Sequence, residues 1–139
     1  MKNFYHLHFS ILIFLAACSE EQNQEPSVGS FDPVVLHTEL EQTLSDHGFE
    51  VKIVNDTVVV KNVTNHKALV DVVNQFYASK GIDGKFEIGG FQLVNGRALN
   101  CPYCTPGPIY DCGGGCFCQD FHCWDCQNNY YFHTSKICP

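Results

Sequence analysis

The chain has 139 residues, with 15 acidic side chains against 8 basic ones and a formal net charge of −7. Phosphate binding needs a basic face, and electrostatic adhesion to anionic lipid needs clustered cations, so this balance excludes nucleic acid and charge-driven membrane attachment. The length suits one modest core with a small satellite module.

The chain opens with one cation, Lys2, and then runs apolar from Phe9 to Ala17 apart from Ser10. A short apolar run behind a weakly basic start reads as a secretory leader, too short to span a bilayer. It ends Leu15-Ala16-Ala17-Cys18, which resembles the lipobox of bacterial lipoproteins. The resemblance covers the leader alone. It implies removal of residues 1–17 and attachment of diacylglycerol to Cys18. Acyl chains hold a protein to a bilayer at about 0.8 kcal/mol per buried methylene, and two or more suffice for stable anchoring. The membrane is therefore the expected partner, through lipid on Cys18. In that family an Asp after the lipidated cysteine favours the inner membrane. Ser19 stands here, which implies the outer membrane of a bacterial envelope. The tract Ser19-Glu20-Glu21 resembles the acidic signals that carry some lipoproteins to the cell surface; a solvated linker is the other reading. Residues 18–31 are polar, with no apolar period, and are expected to be a flexible acidic linker behind the lipidated cysteine.

Residues 32–97 are expected to form an α+β domain. Asp32 suits an N-cap and Pro33 the first helical position. Leu36, Leu40 and Leu44 recur every four residues and Gly48 is a stop, so a helix is predicted over 33–47. Phe49 to Val63 reads as a hairpin around Asn55-Asp56, pairing Ile53 with Val58, Val51 with Val60 and Glu50 with Lys61. Thr64 or Asn65 caps a second helix with Leu69, Val72, Val73 and Phe76 on one face, closing at Lys80-Gly81. In 85–94 the apolar parity switches at Gly89-Gly90. A second hairpin there is favoured over a bulged strand, and Asn95-Gly96 is a further turn signal. The order αββαββ, or αββαβ with the bulge, places two helices on a small antiparallel sheet. The αββαβ order is similar to that of the small BON domains of cell-envelope proteins, in element order only. The glycine usual in their hairpin turn is replaced here by Asn55-Asp56, and no site residue follows from the likeness.

Residues 98–139 form a cysteine-rich stretch, with Cys101, Cys104, Cys112, Cys116, Cys118, Cys123, Cys126 and Cys138. Pro102, Pro106, Pro108 and Gly113-Gly114-Gly115 suggest an irregular module that folds only if cross-linked or metal-bound. A secreted chain meets an oxidising compartment, and eight cysteines is an even number once Cys18 carries lipid. Disulfides among all eight are therefore the leading reading, with 105 possible pairings. Zinc is the second reading: Cys101/Cys104 and Cys123/Cys126 are CxxC pairs at four-thiolate spacing. Thiol–disulfide exchange is the third. Cys101-Pro102-Tyr103-Cys104 resembles the redox motif of glutaredoxins, but Thr105-Pro106-Gly107-Pro108 cannot form the helix that follows it there. Asp111, Asp120 and Asp125 read as solvated, His122 and His133 as surface or packing residues, and the glycine run as a place where backbone passes close to crossed bridges.

Tyr103, Tyr110, Phe117, Phe121, Trp124, Tyr130, Tyr131 and Phe132 crowd the same stretch. Rings left exposed on a rigid frame make interface anchors. The function expected is thus a lipid-anchored envelope protein, a non-enzymatic binding or structural module with no catalytic residue, metal or cofactor, meeting a protein or glycan through its aromatic C-terminal part. A periplasmic thiol–disulfide oxidoreductase using a CxxC pair and a zinc-binding module are the alternatives.

Overall fold

A computed structural model describes residues 29–87, 93–94, 97–98 and 102–139. Asp32 accepts a hydrogen bond from the Val34 N–H at 2.8 Å and so caps α1 (Pro33–Asp46), satisfying a donor the helix itself cannot. Leu36, Leu40 and Leu44 are buried along one stripe. Strands β1 (Glu50–Val54) and β2 (Thr57–Lys61) pair in the expected register, with Glu50 opposite Lys61, Val51 opposite Val60 and Ile53 opposite Val58. Asn55 and Asp56 both have positive φ, 49° and 60°, the two-residue turn that matches strand twist. Asn65 caps α2 (His66–Ser79) by accepting from the Ala68 N–H. Leu69, Val70, Val73, Phe76 and Tyr77 are its buried residues.

Two short strands, β3 (Leu93–Val94) and β4 (Arg97–Ala98), pair as Leu93 with Ala98 and Val94 with Arg97, as the turn signal at residues 95–96 implies. The choice between hairpin and bulge at Gly89-Gly90 lies outside the described residues.

The stretch expected to be irregular is instead regular. It supplies β5 (Tyr103–Asp111), β6 (Phe117–Trp124) and β7 (Tyr130–Ile137). These join the first hairpin in one antiparallel sheet of order β1-β2-β7-β6-β5. The α+β class is as expected, but the C-terminal strands share the sheet and the core of the helical part. β7 lies beside β2, pairing Phe132 with Val58 and Tyr130 with Val60. The boundary expected after residue 97 falls inside β4.

Pro106 and Pro108 are tolerated because β5 is an edge strand, where a missing N–H breaks no ladder. The register shifts between Pro106 and Ile109, and Gly107 sits in that bulge. A Cβ there would lie 2.2 Å from a Phe86 ring carbon, so only glycine admits the ring. Gly113, Gly114 and Gly115 have φ of 82°, 64° and 76° and turn the chain from β5 to β6. Neither Gly114 nor Gly115 has any atom within 4 Å of a virtual Cβ. Their role is therefore conformational rather than the close passage expected.

Both helices pack on one face of the sheet. The core there joins Leu36, Leu40, Leu44, Leu69, Val73, Phe76 and Tyr77 to Val58, Val60, Tyr110, Cys118, Tyr130 and Phe132.

Candidate functional site

Strand alternation sorts β6 and β7 into two faces with different chemistry. Cys118, Asp120, His122, Tyr130, Phe132 and Thr134 point toward the helices. Phe117, Phe121, Cys123, Tyr131, His133 and Ile137 point to the face that neither helix covers.

On the inner face Asp120 is fully buried, contrary to the solvated position expected of it. It is tolerated because donors converge on it. The Tyr77 hydroxyl donates to its Oδ2. The Tyr110 hydroxyl donates to Oδ1 at 3.0 Å and the Thr134 hydroxyl to the same oxygen. His37 Nε2 stands 3.5 Å from Oδ1 and 3.1 Å from Thr134 Oγ1. Its Nδ1 lies 2.9 Å from the Asp56 carbonyl oxygen. A carbonyl only accepts, so Nδ1 carries a proton. Thr134 gives its one proton to Asp120, so its oxygen accepts from Nε2–H. Both ring nitrogens then donate, and His37 is an imidazolium paired with a buried carboxylate. Burial pulls the His37 pKa down, but the Asp120 hydrogen bond and charge, with the Asp56 carbonyl, outweigh it and leave it raised. Burial and the Asp120 charge push Tyr77 and Tyr110 above the usual phenol range. A cavity of about 280 Å³ beside this network is lined by Val34, His37, Asp56, His133 and Thr134 among others.

His122, on the same face, is also buried, yet neither ring nitrogen has a hydrogen-bond partner among the described residues. Its ring stacks on Phe132 at 4.9 Å between centroids and meets Tyr130 at 4.7 Å and Phe86 at 5.5 Å. Burial pushes its pKa down to about 4, so it packs as a neutral aromatic ring.

The outer face carries the bridge Cys104–Cys123, which joins directly opposed residues of β5 and β6. Cys104 is exposed and Cys123 buried. His133 stacks on Phe121 with an interplanar angle of 14° and sets its Nδ1 3.8 Å from Cys123 Sγ. Asp125, at the start of the β6–β7 turn, accepts from the Gln127 and Asn129 N–H groups, the Asn129 side chain and the Tyr131 hydroxyl. Burial would raise its carboxyl, but these donors outweigh that and hold it below the usual range. A cavity of about 460 Å³ lies here, lined by Pro102, Cys123, Asp125 and Tyr131. Farther along the same face Ile109, Phe117 and Ile137 are 59%, 57% and 63% exposed.

Two further bridges are Cys112–Cys118 and Cys116–Cys138. Cys126 is disulfide-bonded too. Cys18 and Cys101 lie outside the described residues. Cys104 and Cys123 are bonded to each other, so neither is a thiolate for the four-cysteine zinc arrangement, and the Cys101/Cys104 and Cys123/Cys126 motifs are not internal bridges. Among the described residues no group of three or more His, Cys, Asp or Glu side chains is placed to hold a metal ion. Of the eight rings crowded into this stretch, several of them expected to be exposed, Phe117 is exposed, Tyr110, Tyr130 and Phe132 are core, and Phe121 and Tyr131 are half-buried. His37 and Tyr77 went unmarked in the sequence. His37 does carry a signal, because His37, Leu40 and Leu44 follow three- and four-residue steps on the buried face.

Comparison of the chain with protein-family models, with curated proteins and with solved structures finds no match.

Proposed function

We propose that this chain is a lipid-anchored bacterial envelope protein that binds a protein partner through the sheet face turned away from its helices. The observation that carries this reading is the cluster of Ile109, Phe117 and Ile137, each more than half exposed. Phe117 and Ile137 are directly opposed on β6 and β7. The bridge Cys116–Cys138 joins the residues next to them, so the apolar pair is held rigid. An anchor already ordered loses little entropy on binding. A cavity of about 230 Å³ lined by Ile82, Asp83, Ile109, Asp111 and Phe117, among others, offers a recess beside it. Two of the three anchors, Ile109 and Ile137, are aliphatic, which favours an apolar protein patch; a glycan would call for several exposed aromatic platforms, and Phe117 is a single one. The anchor rests on the lipobox-like run ending in Cys18, and the outer membrane on Ser19.

The test places a photo-crosslinking residue at 117, and separately at the exposed Val35 of α1, in the full chain in cells. A discrete protein adduct from 117 alone, lost when Ile109 and Ile137 become serine, supports the reading. Equal adducts from both positions, or an adduct indifferent to the two serines, overturns it. The anchor is tested by labelled fatty acid: Cys18→Ala must abolish incorporation.

A further inference from the structure

We propose that Cys104–Cys123 is a thiol-exchange site, opened by an external dithiol such as that of a reductant protein, with His133 assisting the leaving sulfur. The inference goes beyond partner binding and uses a different end of the same sheet face.

Three observations converge. The first is asymmetric access: Cys104 is exposed and Cys123 buried. An incoming thiolate therefore meets Cys104 Sγ and expels Cys123. The second is His133 Nδ1, 3.8 Å from Cys123 Sγ and fixed by the stack on Phe121. An imidazole beside a leaving thiolate stabilises it and supplies its proton, and a better leaving thiol departs faster. The third is room. The cavity of about 460 Å³ beside Cys123, walled by Pro102, Tyr131 and Asp125, leaves the expelled Cys123 Sγ space to turn away from Cys104.

The fold also survives the opening. Cys104 and Cys123 are neighbours in a ladder that continues on both sides, through Tyr103 with Trp124 and Thr105 with His122. Breaking the bridge leaves those strands paired. Cys116–Cys138, by contrast, ties the β5–β6 turn to the chain end beyond β7.

The chemistry balances as two displacements. The thiolate of the dithiol bonds to Cys104 Sγ while the S–S bond breaks, and the electron pair leaves on Cys123 Sγ, which takes a proton through His133. The second thiol of the dithiol, as thiolate, then attacks its own sulfur in the mixed disulfide. That forms the reductant's disulfide and releases Cys104 as a thiolate. Two electrons enter the protein and the dithiol is oxidised.

The experiment treats the whole oxidised chain with graded dithiothreitol, quenches with an alkylating agent and maps the labelled cysteines by peptide mass. Cys104 and Cys123 should be labelled first, with Cys112–Cys118 and Cys116–Cys138 intact and far-ultraviolet dichroism unchanged. Brief exposure to glutathione should leave the mixed disulfide on Cys104. His133→Phe, which keeps the stack, should slow opening of this bridge about tenfold without changing the order of labelling. Release of all bridges together, glutathione on Cys123, or an unchanged rate in His133→Phe overturns the proposal.

Discussion

Tyr77 on α2 donates a hydrogen bond to Asp120 on β6, joining residues 43 apart in the chain. That contact ties the second helix to a central strand at a point where the sheet buries a charge. Asp120→Asn keeps the shape but leaves the His37 imidazolium facing no carboxylate. Removing one partner of a buried pair costs about 3–5 kcal/mol, so urea unfolding should shift to a markedly lower midpoint. His37→Gln added to Asp120→Asn should recover part of the loss, since no unpaired charge then remains. An unshifted midpoint in Asp120→Asn would show that the network contributes nothing to stability.

The two buried histidines respond to pH with opposite signs. His122 has a folded pKa of about 4 against 6.5. Its contribution is whole above pH 6.5 and is lost as pH falls toward 4, by roughly 3 kcal/mol in all. The raised value of His37 makes its contribution whole below 6.5, fading as pH rises through the folded value. His122→Phe should therefore flatten the decline in stability between pH 6.5 and 4 and leave the alkaline side as it was. A decline equally steep in the variant would assign the acid sensitivity to other groups.

Residues 32–97 on their own should not melt cooperatively. They keep both helices and the first hairpin but lose β7, the neighbour of β2. Val58, Val60, Leu40 and Leu69, each fully buried in the whole chain, would lose Tyr130, Phe132 and Tyr110 from their core. This reverses what the sequence suggests, namely that this segment folds by itself. Calorimetry of that fragment decides the point, and a sharp transition near that of the full chain would refute the shared core.

Two glycines separate close approach from backbone conformation. Gly107→Ala forces a methyl into the Phe86 ring, at a built distance of 2.2 Å, and should cost about 1–3 kcal/mol through overpacking. Gly114→Ala meets no atom within 4 Å and carries only its φ of +64°, about 1 kcal/mol. Phe86→Leu should rescue Gly107→Ala and do nothing for Gly114→Ala. Thermal melts of the four variants would show whether the pairing of cause and position holds.

The sequence by itself determined the local elements. The caps at Asp32 and Asn65, the stops at Gly48 and Gly81, and the Asn55-Asp56 turn each act within a few residues, so both helices and the register of the first hairpin are legible from spacing alone. The cross-linked character of the C-terminal part is the leading reading of the sequence, from the secretory leader together with the even cysteine number, with zinc and thiol exchange as the alternatives.

Only the tertiary structure decided that residues 103–111, 117–124 and 130–137 are strands, and which cysteines meet. The inward face of β6 reads Cys118, Asp120, His122, with no apolar alternation to mark a strand. Its burial is tolerable because Tyr77, Tyr110 and Thr134 bring donors to Asp120 from distant segments, and Phe86 and Phe132 bring rings to His122. Pro106 and Pro108 argue against a strand until β5 is known to be an edge. Cys104 and Cys123 stand opposite each other in the β5–β6 ladder and bond there rather than within their CxxC motifs, a choice made by the ladder and invisible to spacing.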